Sequence, residues 1–317
     1  MIEILRARQR ISPYVRRTPL IHSPWLSDAT GTRVSIKVES VQVSNSFKSR
    51  GAFNAVMARR ERAGAPNALV TASAGNHGRA LAVAAETFEL PLTVFTPIDA
   101  PATKLDAIKR HGATLRAEGR DYDEAEKMAK QFAVETGAAF ISPYNDADVI
   151  AGAGTVAVEI FEDAPDVDML VLGIGGAGLI SGMGTVARHF KPAARVIGVE
   201  VVASCAFQTS FRAGHLVEIV PGPTLADGLG GNPDPETITF GIVQRVVDDI
   251  VTVDERELAL GIAGLVTAEH LIAEGAGAVG TAALLAKKIF PLGNHVAVVL
   301  SGSNIDTMKL ASIISAA

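Results

Sequence analysis

The sequence predicts an α/β protein of two lobes, each a parallel or mostly parallel sheet flanked by helices. Short apolar runs that suit strands alternate with longer helix-like segments, and such alternation calls for parallel strands joined by covering helices. The rhythm runs twice, first from about residue 66 and again from about residue 149. No linker composition, low-complexity tract or tandem repeat breaks it.

Residues 1 to 30 open with a basic, helix-compatible segment and reach Arg16-Arg17-Thr18-Pro19-Leu20, where the proline imposes extended backbone on its predecessor. Val34 to Glu39 alternates apolar and polar residues as a strand should, and Ala52 to Met57 clusters apolar residues at helical spacing. In the first α/β run, the strands are Ala68 to Thr71, Pro91 to Phe95, Ala113 to Arg116 and Ala138 to Ile141. Helices fall around Ala80 to Ala85, around Lys104 to His111, and from Tyr122.

The second run has helices at Gly154 to Phe161 and Leu179 to Phe190, and strands at Met169 to Leu172 and Arg195 to Val199. An alanine-rich stretch over 255 to 288 suits a helix pair. Val296 to Leu300 closes the pattern as a fully buried strand.

Composition excludes several classes of function. The chain has 317 residues, 48% hydrophobic and 20% charged, enough for sizeable cores. Its net charge of −5, from 29 basic and 34 acidic residues, leaves no basic face for a nucleic acid. The single Cys205 permits no internal disulfide, and the N-terminus lacks a signal peptide's apolar core, so a cytoplasmic location is expected. No uninterrupted apolar run approaches the roughly 18 residues of a membrane span.

The chemistry centres on Ser44-Asn45-Ser46-Phe47-Lys48-Ser49-Arg50-Gly51-Ala52, which sets Lys48 where a helix begins. The positive end of the helix dipole disfavours a cation and lowers the cost of a neutral amine. Only a neutral amine attacks a carbonyl, so Lys48 is a candidate for covalent catalysis, against the plain reading of a surface lysine.

Thr71-Ala72-Ser73-Ala74-Gly75-Asn76-His77-Gly78 follows a strand and opens a helix. Its amides and the Ser73 and Asn76 side chains converge on one point, suited to a carboxylate. Gly173-Ile174-Gly175-Gly176-Ala177-Gly178 satisfies G-x-G-x-x-G, and Glu200 stands 22 residues beyond Gly178 as a ribose-binding acid would. Taken alone this loop suggests NAD and an oxidoreductase; the same amides would equally cradle a single phosphate. Ser301-Gly302-Ser303-Asn304 follows the last buried strand, where ligand crevices of parallel sheets lie.

Together these segments resemble the serine/threonine dehydratase family of pyridoxal-phosphate (PLP) enzymes, the tryptophan-synthase-β-like fold type II group that includes serine racemase. The matches are Arg17-Thr18-Pro19-Leu20, Ser46 to Ala52, Ser73 to His77, Gly175 to Leu179, Thr224 to Gly228, Glu274 to Gly277 and Ser301 to Asn304, in family order.

The resemblance implies a smaller lobe (61–146) inserted into a larger PLP-binding one (1–60 and 147–317). It implies that Lys48 carries PLP and takes the substrate α-proton. Gly175, Gly176, Ala177, Gly178 and Leu179 would cup the phosphate, with Ala177 departing from the family's glycine. Phe47, Asn76 and Glu274 would lie at the ring and Ser301 at its nitrogen. Ser73, Ala74, Asn76 and His77 would form the carboxylate loop.

The implied reaction is dehydration and deamination of a β-hydroxy L-amino acid, L-threonine or L-serine first, to a 2-oxo acid and ammonia. The alternatives are a serine-type racemase and a lyase for a bulkier β-hydroxy amino acid. Ala74 stands where serine racemase has its second acid/base serine. Ala206 stands where some relatives have the aspartate that binds a metal together with the residue at Glu200, so no metal site is expected. The chain ends eleven residues past Asp306, so no C-terminal regulatory domain is expected, and a homo-oligomer, dimer or tetramer, is.

Overall fold

The computed structural model describes residues 1–64 and 66–316. The first elements are α1 (Ile2–Ile11), β1 (Leu20–His22), α2 (Pro24–Thr30), β2 (Arg33–Val38) and α3 (Lys48–Ala63). They lead into β3 (Leu69–Ala72), α4 (Asn76–Thr87), β4 (Leu92–Pro97), α5 (Ala102–Lys109), β5 (Thr114–Gly119), α6 (Tyr122–Thr136) and β6 (Ala139–Phe140). The chain continues through α7 (Ala147–Asp163), β7 (Met169–Gly173), α8 (Gly178–Phe190), β8 (Arg195–Val201), α9 (Ala206–Ala213), α10 (Ile238–Val246) and β9 (Asp249–Val253). It closes with α11 (Glu255–Glu269), α12 (Gly275–Leu285), β10 (His295–Leu300) and α13 (Thr307–Ala316).

These strands make two sheets, ordered β1-β2-β10-β7-β8-β9 and β5-β4-β3-β6. Every pairing is parallel except β1 with β2. Apolar side chains cover both faces of each sheet. Val171, Ile197 and Val298 point into one core of the larger sheet, whereas Leu170, Leu172 and Ala297 point into the other with α7 and α8. Sheets buried on both faces read as near-continuous apolar runs, which is why β7 and β10 were plain in the sequence.

The elements expected in the two α/β runs form, with ends shifted by a few residues. The 255–288 stretch is a helix pair, with α11 opened by a capping box between Asp254 and Glu257. Strand β9 and helices α2, α9, α10 and α13 had not been expected, nor had the three-residue β1.

Strand β2 departs from its pattern. Apolar–polar alternation is the usual mark of a half-buried strand, yet Val34 through Val38 are all buried. The polar face turns instead onto an ionic cluster. Lys37 Nζ donates to Glu159 Oε2 (2.6 Å) and to the Thr18 carbonyl (2.7 Å). Arg50 bridges Glu39 (2.8 and 2.9 Å) and Glu159 (2.7 and 2.8 Å) with paired N–H donors. Buried charges persist only when paired in this way.

Helix α3 begins at the edge of the larger sheet but buries Ala52, Phe53, Ala55 and Val56 in the core of the smaller one, with Leu69, Ala80 and Leu81. Its first turn therefore sits where the sheets meet. The loops after β2, β7 and β10 open toward the same crevice as those after β3 and β6, at the carboxyl ends where ligands of parallel sheets lie.

Candidate active site

Lys48 is the first residue of α3, as its flanking pattern predicted. The preceding turn is stitched to the loop after β10: Phe47 N donates to the Ser301 carbonyl (3.0 Å), and Ser46 forms an isolated bridge with Gly302. Lys48 Nζ crosses the crevice to the Pro143 carbonyl (2.8 Å) and lies 5.2 Å from the Phe47 ring centroid. Desolvation lowers its pKa to about 8, against the opposing pull of Glu274. A lysine so poised supplies free amine near neutral pH.

The glycine loop is bare of acceptors. Ile174 N is spent on Val199 O, but among the described residues no protein acceptor meets the amides of Gly175, Gly176, Ala177, Gly178 or Leu179. Buried main-chain donors are nearly always satisfied, so five consecutive free ones at the start of α8 mark an anion site. A side chain at Gly176 would strike the Tyr144 ring, and one at Gly175 would press on the Gly228 carbonyl (3.1 Å). Ala177 sits in the left-handed region (φ 64°) as the residue before α8.

Ser73, Ala74, Asn76 and His77 lie across the crevice at the start of α4. Ser73 Oγ accepts from Gly75 N (3.2 Å), while the amides of Ala74, Asn76 and His77 have no protein acceptor among the described residues. His77 is buried with Nε2 3.2 Å from the Ile141 carbonyl and, among the described residues, Nδ1 without a partner. Its pKa is pushed down to about 3, by burial first and then by Lys48, so the ring is neutral and Nε2 carries the proton.

Asn76 Nδ2 donates to Glu274 Oε1 (2.5 Å). Burial raises the Glu274 carboxyl to about 7 although the Asn76 bond lowers it. Ser301 is buried, and among the described residues its hydroxyl makes only a long bond to the Ala276 carbonyl (3.4 Å). The sequence-derived residues thus converge on one crevice from both sheets.

Other residues of the crevice went unrecognised. Tyr144 packs on the glycine loop and accepts from Asp234 N (2.8 Å). Pro143 holds Lys48, and Lys104 and Lys130 reach across to Asp227 and Asp234. The available signal for Pro143 and Tyr144 was their place just after a parallel strand. Glu200 is not a ribose ligand: its oxygens accept from Phe207 N (3.0 Å) and Gln208 N (2.6 Å), capping α9.

The fold and crevice define a PLP-dependent enzyme, and the chain belongs to the pyridoxal-phosphate dependent enzyme family, whose model matches residues 11–302. It is 40% identical to an L-threonine ammonia-lyase of Thermotoga maritima, over 99% of this chain and 77% of that one. It is 37% identical to an L-threo-3-hydroxyaspartate ammonia-lyase of Saccharomyces cerevisiae, over 99% and 95%. The solved structure of maize serine racemase superposes with a TM-score of 0.92 at 30% identity, covering 99% and 96%. Among the described residues, no helix is long and apolar enough to cross a membrane.

The residues present fit PLP. Free amides suit its phosphate, the Lys48 amine its aldehyde, and the weakly engaged Ser301 hydroxyl a ring nitrogen.

Proposed function

We propose that the protein is a PLP-dependent ammonia-lyase that eliminates water from a β-hydroxy L-amino acid, L-threonine or L-serine first, to an enamine that water then hydrolyses to a 2-oxo acid and ammonia. The observation that carries this reading is the Lys48 amine, held near pKa 8 beside five unpaired amides. Bound PLP supplies an electron sink for the α-carbon.

Lys48 would hold the cofactor through its amine and would take the substrate α-proton on Nζ. The amides of Gly175, Gly176, Ala177, Gly178 and Leu179 bind the phosphate. Phe47, Asn76 and Glu274 border the ring, and the Ser301 hydroxyl meets its nitrogen. A hydroxyl partner there would leave the ring nitrogen largely unprotonated, a weaker electron sink that would favour prompt elimination. Ala74, Asn76 and His77 orient the substrate carboxylate with their free amides and Ser73 does so with its hydroxyl, while the His77 ring fixes the loop from beneath through Ile141.

The same reading takes residues 1–60 with 147–317 as the PLP-binding lobe and 61–146 as the inserted one, in a cytoplasmic homo-oligomer. The likeness to maize serine racemase favours racemisation as the second reading.

A screen of β-hydroxy amino acids for 2-oxo acid release, run beside a visible spectrum, tests the proposal. The protein should show the absorption band of lysine-bound PLP and turn over L-threonine or L-serine. Lys48→Ala should abolish turnover while keeping the fold, and borohydride should fix the cofactor on the Lys48 peptide. A label on another lysine would sink the assignment. Ser301→Ala should weaken PLP affinity more than substrate binding.

A further inference from the structure

Four polar side chains form a chain with a definite direction. Arg79 Nη1 donates to Asn304 Oδ1 (2.5 Å); Asn304 Nδ2 donates to Asn76 Oδ1 (2.6 Å) and to the Ser44 carbonyl (3.0 Å); and Asn76 Nδ2 donates to Glu274 Oε1 (2.5 Å). Asn45 Nδ2 makes a longer approach to Asn304 Oδ1 (3.5 Å).

A terminal amide can turn over and exchange its oxygen for its nitrogen, so its neighbours must decide which end faces which way. A guanidinium can only donate and a main-chain carbonyl can only accept. Arg79 and Ser44 therefore fix Asn304, and Asn304 in turn fixes Asn76 with its NH2 group toward Glu274 and the crevice. Arg79 is partly buried, has no carboxylate within salt-bridge distance among the described residues, and leaves Nε without a partner. A partly buried cation with no carboxylate in direct contact is costly unless its donors have work to do.

We infer that Arg79 is a positioning residue of the active site: acting through Asn304, it locks the Asn76 amide so that a donor, never a lone pair, faces the cofactor ring. The inference rests on the PLP reading above. One Asn76 N–H is taken by Glu274, and the other remains for an oxygen of the ring.

The test compares holoenzymes carrying Arg79→Met, which keeps an apolar stem but no donor, and Arg79→Gln, which keeps a neutral donor. PLP affinity is measured by dialysis, and the bound cofactor's visible spectrum is titrated with pH. Arg79→Met should weaken PLP binding about fivefold to tenfold, the usual worth of one buried hydrogen bond, and displace the spectral midpoint. Arg79→Gln should recover both to within about twofold, a rescue that a purely packing or charge role would not give. Should the methionine variant fail to fold, Asn304→Ala must produce the same two changes. Wild-type affinity and midpoint in Arg79→Met, or equal damage in Arg79→Gln, would overturn the inference alone. A wild-type protein with no visible band would overturn the PLP reading and this inference with it.

Discussion

Lys48 Nζ lies 2.8 Å from the carbonyl oxygen of Pro143, 95 residues away, so the loop after β6 in the smaller sheet holds the amine that begins α3. The carbonyl offers a lone pair but no charge, and desolvation outweighs the attraction of Glu274. With the pKa at about 8, and not 10.5, roughly half the amine is free at pH 8. The rate of PLP capture by apoprotein should therefore rise with pH around a midpoint near 8. Because the Glu274 charge raises this pKa, Glu274→Gln should move the midpoint down. Stopped-flow absorbance across pH 6 to 10 measures both, and a midpoint that stays put in the variant would remove Glu274 from the amine's surroundings.

Replacing Arg50 with methionine leaves Glu39 and Glu159 buried without their shared partner. Breaking one member of such a cluster costs about 3–5 kcal/mol. Urea denaturation should show a loss of that size, partly restored by adding Glu39→Gln, which removes one stranded charge.

Ala177 occupies a left-handed conformation that disfavours a Cβ by about 1–2 kcal/mol. Ala177→Gly should relieve the strain, offset by glycine's entropy in the unfolded chain, for a net gain of up to about 1 kcal/mol with PLP retained. Ala177→Val, β-branched at positive φ, should lose stability and cofactor together. Thermal melts with and without PLP separate the two.

Elimination needs a base on one face of the α-carbon, but racemisation needs a second proton donor on the other, and the Ala74 methyl supplies none. L-Serine should yield 2-oxo acid with little D-serine, and Ala74→Ser should raise D-serine formation. Chiral chromatography of a long incubation reads this out. Rapid L-to-D conversion by the unmodified protein would make racemase the better description.

Much of this molecule was legible in its sequence because the relevant forces act between near neighbours. The alternation of apolar runs and amphipathic segments determined the α/β class. Turn chemistry around Lys48, Asn76 and the 173–178 loop placed each at a helix start, where unpaired amides follow from the geometry of a first turn. The order of those loops along the chain carried the family.

Only the tertiary structure decided which distant residue answers each buried charge. Lys37 and Ser35 alternate with apolar residues along β2, and only the packing brings Glu159 and His295 to meet them. Glu200 matched a ribose ligand by spacing and proved to cap α9. Glu274 meets Asn76 from 198 residues away, and nothing local to either specifies the pairing. Burial is affordable for a polar group only when a partner arrives with it, and that partner is chosen by how helices and sheets pack, not by the spacing of residues along the chain.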